Sequence, residues 1–350
     1  MSRTMKGWSV VRHGAPADVL EFGELAIPEP EPGTVALRVG ATALNLPDER
    51  LCHGTYQMKP ELPFTPGFEA AGIVEAVGEG VDPALVGRHV VGVAGPPRGA
   101  LAEVAQIRAT GLYALPEGRD AIADADAAAM LIAFTTGHLG LYRRGRLRAG
   151  ETLLVHAGAG GVGSAAIQLG VLAGARVIAT AGGPDKVALC RELGADVAID
   201  YRDLDVKGLV AAVQDVTGGR GVDVVYDSVG GDVLHASRRM LAREGRLLII
   251  GFASGELADL PTNHALYRNY DVVGVYFGGY SGPEDAGYRR DMWEELLGYA
   301  RDGRIRPVID REVPLDGDVP GALTDLAGRR TVGKVVIQVT NPVRTLSASP

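Results

Sequence analysis

Residues Gly158-Ala159-Gly160-Gly161-Val162-Gly163 form a G-x-G-x-x-G segment, after the apolar run Thr152–His156 and before a helical pattern from about Ser164. Glycines at this spacing let a turn of backbone approach a pyrophosphate. The unpaired N–H groups and dipole of the following helix stabilise its negative charge. The preceding strand and following helix are the context the motif requires, so a dinucleotide is the expected ligand. A tight turn without a ligand is the competing reading. The choice of dinucleotide is made about 20 residues further on, where Asp or Glu would bind a ribose 2′-hydroxyl. There the chain has Thr180-Ala181-Gly182-Gly183. The first carboxylate, Asp185, is expected as a helix N-cap. Lys186 follows, suited to a 2′-phosphate, and predicts NADPH rather than NADH.

These residues need a scaffold. Apolar runs begin near Thr152, Arg176, Asp196, Val222, Arg246 and Asp271, at spacings of 24, 20, 26, 24 and 25 residues. Helical patterns fill the gaps, among them Asp185 to Leu193, closed by Gly194, and a face formed by Leu209, Val213 and Val216. Six strands alternating with helices predict an α/β Rossmann fold with a doubly wound parallel sheet. The first third reads differently. Val35 to Ala43 alternates as a half-buried strand, Ala70 to Val77 and His89 to Ala94 are further strands, and Pro and Gly punctuate them. A small barrel or sandwich is expected there. An alanine-rich helix (Ala121 to Tyr142) marks the boundary. A helix over Glu284 to Asp302 leads to strands over Pro307 to Val313 and Val332 to Val339, and Asn341 to Pro350 reads as a polar tail.

Composition narrows the function classes. Net charge is −8, from 35 basic and 43 acidic residues, without basic blocks, so nucleic acid is not an expected partner. No apolar run approaches the ~20 residues of a membrane span, and no signal-peptide core is evident. Two cysteines, Cys52 and Cys190, cannot build a disulfide framework. A cytoplasmic protein is expected. Glycine is in excess, 49 of 350 residues, beyond what the loop explains, and lysine occurs only five times. A GC-rich genome is the competing explanation of both features, one that needs no mechanism.

The motifs Asn45-Leu-Pro-Asp48 with Gly54-Thr-Tyr56, Pro66-Gly-Phe-Glu69-Ala-Ala-Gly72 and His156 to Gly163 resemble the zinc-independent quinone oxidoreductases (zeta-crystallin-like) of the medium-chain dehydrogenase/reductase superfamily. Leu193-Gly-Ala-Asp196, Ile199-Asp-Tyr201, Gly221 to Asp227, Gly251-Phe-Ala-Ser-Gly255 and Gly333-Lys-Val-Val336 extend the similarity over roughly Met5 to Val339. The resemblance implies a GroES-like catalytic domain over residues 1–128, completed by 283–350, around a Rossmann domain over 129–282, in a homodimer. It places Lys186, Tyr201 and Arg329 at an adenosine 2′-phosphate, and Asn45, Asp48 and Tyr56 near nicotinamide and substrate. Thr136 is expected at the nicotinamide, and the backbone of Phe252 and Ser254 along the cofactor. Arg50 departs from relatives that carry an aromatic residue there.

Zinc relatives need a catalytic Cys and His and four clustered Cys. Here two Cys are available, and Gly67-Phe68-Glu69 replaces Gly-His-Glu, so no metal is expected. Cys52-His53 has no partners at ligand spacing, the histidines form no HExxH, and Gly333-Lys334 lacks a phosphate loop. His156 is expected as packing beneath the glycine loop, and Asp223 and Asp227 as structural. Tyr56 is the candidate proton or hydrogen-bond donor, with cleft lining without chemistry as its alternative; Asn45 is a candidate to bind the cofactor, with satisfying loop backbone as its alternative. The reading is NADPH-dependent, zinc-independent reduction of quinones or related enones. The alternatives are an enoyl or 2-alkenal reductase, or a non-enzymatic NADPH-binding protein with a structural, sensory or RNA-binding role.

Overall fold

In the computed structural model, which describes residues 4–118 and 121–339, the chain forms two units. One holds the chain through Ile132 and again from Ile309; the other spans Ala133–Val308. The tail over 341–350 lies outside the described residues. In the first unit β1 (Thr4–Val10) and β2 (Leu20–Ala26) pair antiparallel around the short α1 (Pro16–Val19). Then come β3 (Thr34–Ala43), α2 (Leu46–Cys52), β4 (Glu69–Val77), β5 (His89–Val93), β6 (Val104–Arg108) and β7 (Leu112–Ala114). α3 (Asp124–His138) carries the chain from the first unit into the second.

The second unit contains β8 (Thr152–Val155), α4 (Gly161–Leu172), β9 (Arg176–Ala181), α5 (Pro184–Glu192), β10 (Val197–Asp200), α6 (Val206–Val216), β11 (Val222–Asp227), α7 (Gly231–Met240), β12 (Leu241–Ile249), α8 (Thr262–Arg268), β13 (Asp271–Gly274) and α9 (Ala286–Arg301). The chain returns to the first unit through β14 (Ile309–Pro314), α10 (Val319–Ala327) and β15 (Lys334–Gln338). Among the described residues no helix is long and apolar enough to cross a membrane.

The second unit is the expected doubly wound sheet, all parallel, in the order β10-β9-β8-β11-β12-β13. Its strands are short apolar runs because helices cover both faces. Leu154, Ile178, Val225 and Leu247 are buried in one core with Leu209 and Val213 of α6. α4 begins at Gly161, three residues before the expected start, because Gly160 is its N-cap. α5 is capped by Gly183, with Pro184 at its first position. Asp185 therefore lies inside the first turn and is not the N-cap. Residues 283–308, placed with the first domain from sequence, belong to this unit. α9 buries Met292, Trp293 and Leu296, and its Tyr288 and Glu295 bond His138 at 3.2 and 3.1 Å.

The first unit holds a seven-stranded sheet, β14-β15-β3-β4-β5-β7, with β6 also on β3. β3 is buried on both faces, not on one as its alternation suggests. Val35, Leu37 and Val39 enter a core with Val74, Val90 and Ile107, whereas Ala36 enters another with Met5, Ala102 and Val104. Two pairings position the functional residues. Ala70 of β4 stands opposite Thr42, and β15 runs antiparallel beside the end of β3, with Leu44 N–H donating to Val335 O at 2.9 Å. Asn45, Glu69 and Lys334 are thereby gathered at the adjoining ends of β3, β4 and β15 in the middle of the sheet.

Candidate active site

On the second unit, the glycine loop joins β8 to α4 and its glycines have distinct roles. A Cβ on Gly158 would meet Cys190 Sγ at 2.9 Å and Ala179 Cβ at 3.0 Å, so this glycine lets the turn press against β9 and α5. A Cβ on Gly163 would lie 2.2 Å from Ala157 O, so this one lets the helix close on the loop. At Gly160 the nearest atom within 4 Å is Ala157 O at 3.3 Å. Apart from that carbonyl no protein atom comes within 4 Å of the face, as a loop receiving a phosphate requires. Gly160 caps α4 without a side chain, so the first-turn amides of Gly161, Val162 and Gly163 point outward along the helix axis. The residues present fit a dinucleotide pyrophosphate.

His156, 1% exposed, anchors the loop from below. Its Nδ1 meets Thr180 Oγ at 2.9 Å and its Nε2 meets Ser237 Oγ at 3.1 Å; that hydroxyl donates to Asp227 Oδ2 at 2.9 Å. Burial lowers the His156 pKa below the ordinary histidine value, against the pull of Asp227, and keeps the ring neutral. Asp227 also accepts the N–H groups of Val229 and Gly230. The loop after β12 packs here. Ala253 and Ser254 donate N–H bonds to Ser228 O and Val229 O at 3.0 and 2.9 Å, and Phe252 is 44% exposed beside Gly230. Thr136, buried in α3, precedes Gly137, which lies against Leu169 of α4. At the end of β9, the Tyr201 hydroxyl lies against Gly182, and Lys186 stands partly buried in the first turn of α5.

On the first unit, Lys334 Nζ donates to Glu69 Oε1 at 2.7 Å and to Asn45 Oδ1 at 2.6 Å. The Asn45 amide nitrogen donates to Glu69 Oε1 at 2.8 Å and Ala43 O at 3.1 Å, so both its hydrogens are committed. Glu69 Oε2 accepts Ile132 N–H at 2.7 Å. Asp48, fully buried, accepts Asn45 N–H and Gly67 N–H, each at 2.8 Å. Burial pushes its carboxyl up to about 7, although these two N–H bonds favour the charged form. The chain after α2 turns on the Arg50 carbonyl, which accepts from Thr55 and Tyr56 at 3.0 and 3.3 Å. That turn sets the Tyr56 ring edge-on to Phe68, with centroids 5.8 Å apart. Arg329, the remaining candidate, is exposed just after α10.

Two family descriptions match the chain: alcohol dehydrogenase GroES-like domain over residues 31–117 and zinc-binding dehydrogenase over 161–297. The quinone oxidoreductase of Pseudomonas aeruginosa is 37% identical over 330 residues, covering 93% of this chain and 97% of that protein. The chain belongs to the medium-chain dehydrogenase/reductase superfamily. A mycobacterial member solved in complex with NADPH superposes with a TM-score of 0.87 at 32% identity, over 96% of this chain and 100% of that one. Erythronolide synthase EryA2 of Saccharopolyspora erythraea is 37% identical over 313 residues, 89% of this chain and 8% of that much longer protein.

For a dehydrogenase of a family described by zinc, the donors here are a poor fit. Among the described residues no three His, Cys, Asp or Glu side chains gather where they could hold a metal ion. Cys52 lies in the core with Leu51 and Phe64, and burial pushes its thiol up to about 12; Cys190 is likewise pushed up to about 11. Metal-binding thiolates require the opposite shift. His53 instead pairs with Glu49 at 3.1 Å. Glu69 and Lys334 were not singled out from the sequence as working residues. Each stood in a recognisable segment, but nothing along the chain ties positions 265 residues apart.

Proposed function

We propose that this dehydrogenase/reductase uses NADPH to reduce quinones or related electron-poor carbonyl and enone acceptors, without a metal. The carrying observation is the ledge at the end of β9. Where an NADH site would place a carboxylate, the chain has Gly182-Gly183, with the Tyr201 hydroxyl against Gly182 and Lys186 in the following helix. NADPH supplies the hydride when bound. The glycine loop and the first turn of α4 hold its pyrophosphate, and Lys186, Tyr201 and Arg329 serve its 2′-phosphate. Phe252 and Ser254 flank it, and Thr136 serves the nicotinamide. An acceptor that delocalises the incoming charge onto oxygen needs no Lewis acid, so positioning and one hydrogen-bond donor suffice. Tyr56 is that donor. The spent Asn45 amide can only accept, through Oδ1, and acts by orientation.

The experiment is steady-state NADPH oxidation against 1,4-benzoquinone, 9,10-phenanthrenequinone, an enal and crotonyl-CoA. Turnover of the quinones at the highest kcat/KM is expected. Turnover confined to crotonyl-CoA would instead establish the enoyl reductase reading. The expected homodimer draws support from β13, which ends the sheet, and from Tyr267 and Tyr276 nearby in the chain, 78% and 64% exposed. Light scattering on the eluting protein tests it; a monomeric mass refutes it.

A further inference from the structure

The end of β9 carries a second cation that the proposed site has not used. Arg202 follows Tyr201 just beyond β10, and its guanidinium lies flat over Gly183. A Cβ on that glycine would sit 3.4 Å from both Arg202 Cζ and Nη1. Gly183 has φ +104, a conformation that excludes other residues, so the contact surface is fixed by the backbone. Asp200 holds the guanidinium from the other side. Arg202 Nε donates to both Asp200 oxygens at 3.2 Å and Nη2 to Oδ2 at 2.8 Å, while Asp200 Oδ1 accepts Gly183 N–H at 3.0 Å. Nε and Nη2 are thus spent on the carboxylate, and Nη1 is the nitrogen left beside Gly183. The charges that face Arg202 are the carboxylates of Asp200, Asp203 and Asp185.

We infer that Arg202 is a specificity-determining residue for the cofactor, presenting Nη1 across the Gly183 ledge to the adenosine 2′-phosphate. The inference rests on the NADPH reading above and deepens it. A 2′-phosphate carries close to two negative charges at neutral pH. The carboxylates of Asp200, Asp203 and Asp185 crowd this ledge, so each added cation counts. Arg202 adds one positive charge to those already assigned to the phosphate, in an orientation that its Asp200 clamp fixes beforehand, so little side-chain freedom is lost on binding. Asp200 is a positioning residue here. Its carboxyl is held down to about 2, chiefly by the Arg202 hydrogen bonds, so the clamp persists across the working pH range.

The test is calorimetric binding of 2′,5′-ADP and 5′-AMP to the whole protein, for wild type, Arg202→Gln and Arg202→Lys. Arg202 is exposed, so the variants are expected to fold. In Arg202→Gln the ratio of the two affinities falls about tenfold, the worth of one charge-assisted hydrogen bond. Arg202→Lys, with the charge but not the fork, recovers part of it. A wild type that discriminates, with a ratio unchanged in Arg202→Gln, overturns the inference and leaves the NADPH reading standing. A wild type that binds the two nucleotides equally overturns both.

Discussion

Lys334 Nζ lies 2.6 Å from Asn45 Oδ1, although 289 residues separate them in the chain. The contact fixes which end of the Asn45 amide is oxygen, because only an acceptor can face an ammonium group. With Glu69 it forms a buried network, Lys334 being 5% and Glu69 0% exposed. Removing one partner of such a pair leaves the other charge buried without compensation. Lys334→Met is expected to cost about 3–5 kcal/mol in denaturant unfolding of the protein. The double variant Glu69→Gln/Lys334→Met should recover much of that loss. A double-variant loss equal to the sum of the Lys334→Met and Glu69→Gln losses would show that the pair is not coupled.

Asp48 gives this network a pH signature. Its carboxyl rises from an ordinary 3.8 to about 7 on folding, chiefly through burial. Between those values the folded chain holds a proton that the unfolded chain has released. The stability from this group is therefore full below about pH 4 and is lost as the pH rises through about 7. Wild type should exceed Asp48→Asn in Tm by more at pH 5 than at pH 8. An equal difference at the two pH values would contradict the shift.

The glycine loop predicts a contrast. Gly160 has φ −82 and one close contact, Ala157 O at 3.3 Å from a Cβ, so Gly160→Ala should cost less unfolding stability than Gly163→Ala while weakening NADPH binding. In Gly163→Ala the new methyl would lie 2.2 Å from Ala157 O, so both Tm and binding should fall. Fluorescence titration of NADPH alongside thermal melts reads both. A Gly160→Ala protein that binds NADPH as wild type does would remove the phosphate from that face.

Much of this was legible in the sequence, for physical reasons. The inner parallel strands β8, β9 and β11 are apolar runs buried on both faces, and the loop between the first strand and its helix has a spacing that geometry dictates. The start of β12 at Leu241, five residues before the visible run, was not legible, because Glu244 and Gly245 interrupt its apolar pattern. Nor was the allegiance of α9, which depends on where Met292 and Trp293 find a core. The Asn45–Glu69–Lys334 network needs β4 and β15 to flank β3, a matter of sheet pairing that no local pattern records. Asp185 looked like an N-cap because its type favours caps, yet Gly183 and Pro184 begin the helix two residues earlier.

Tyr56 stands edge-on to Phe68 on a turn built by the Arg50 carbonyl. With Tyr56 as the proposed donor to the acceptor oxygen, Tyr56→Phe is expected to lower kcat with 9,10-phenanthrenequinone about ten- to a hundredfold. Its conservative size should leave folding intact by thermal melt. Full kcat/KM in the variant would remove Tyr56 from the chemistry.

A reductase built for NADPH is distinguished by the ratio of its kcat/KM for NADPH to that for NADH, with 9,10-phenanthrenequinone as acceptor. Measurable turnover and a ratio well above one, carried by the KM of the reduced cofactor, are expected. A ratio at or below one, or no turnover with either cofactor, would contradict NADPH-dependent reduction.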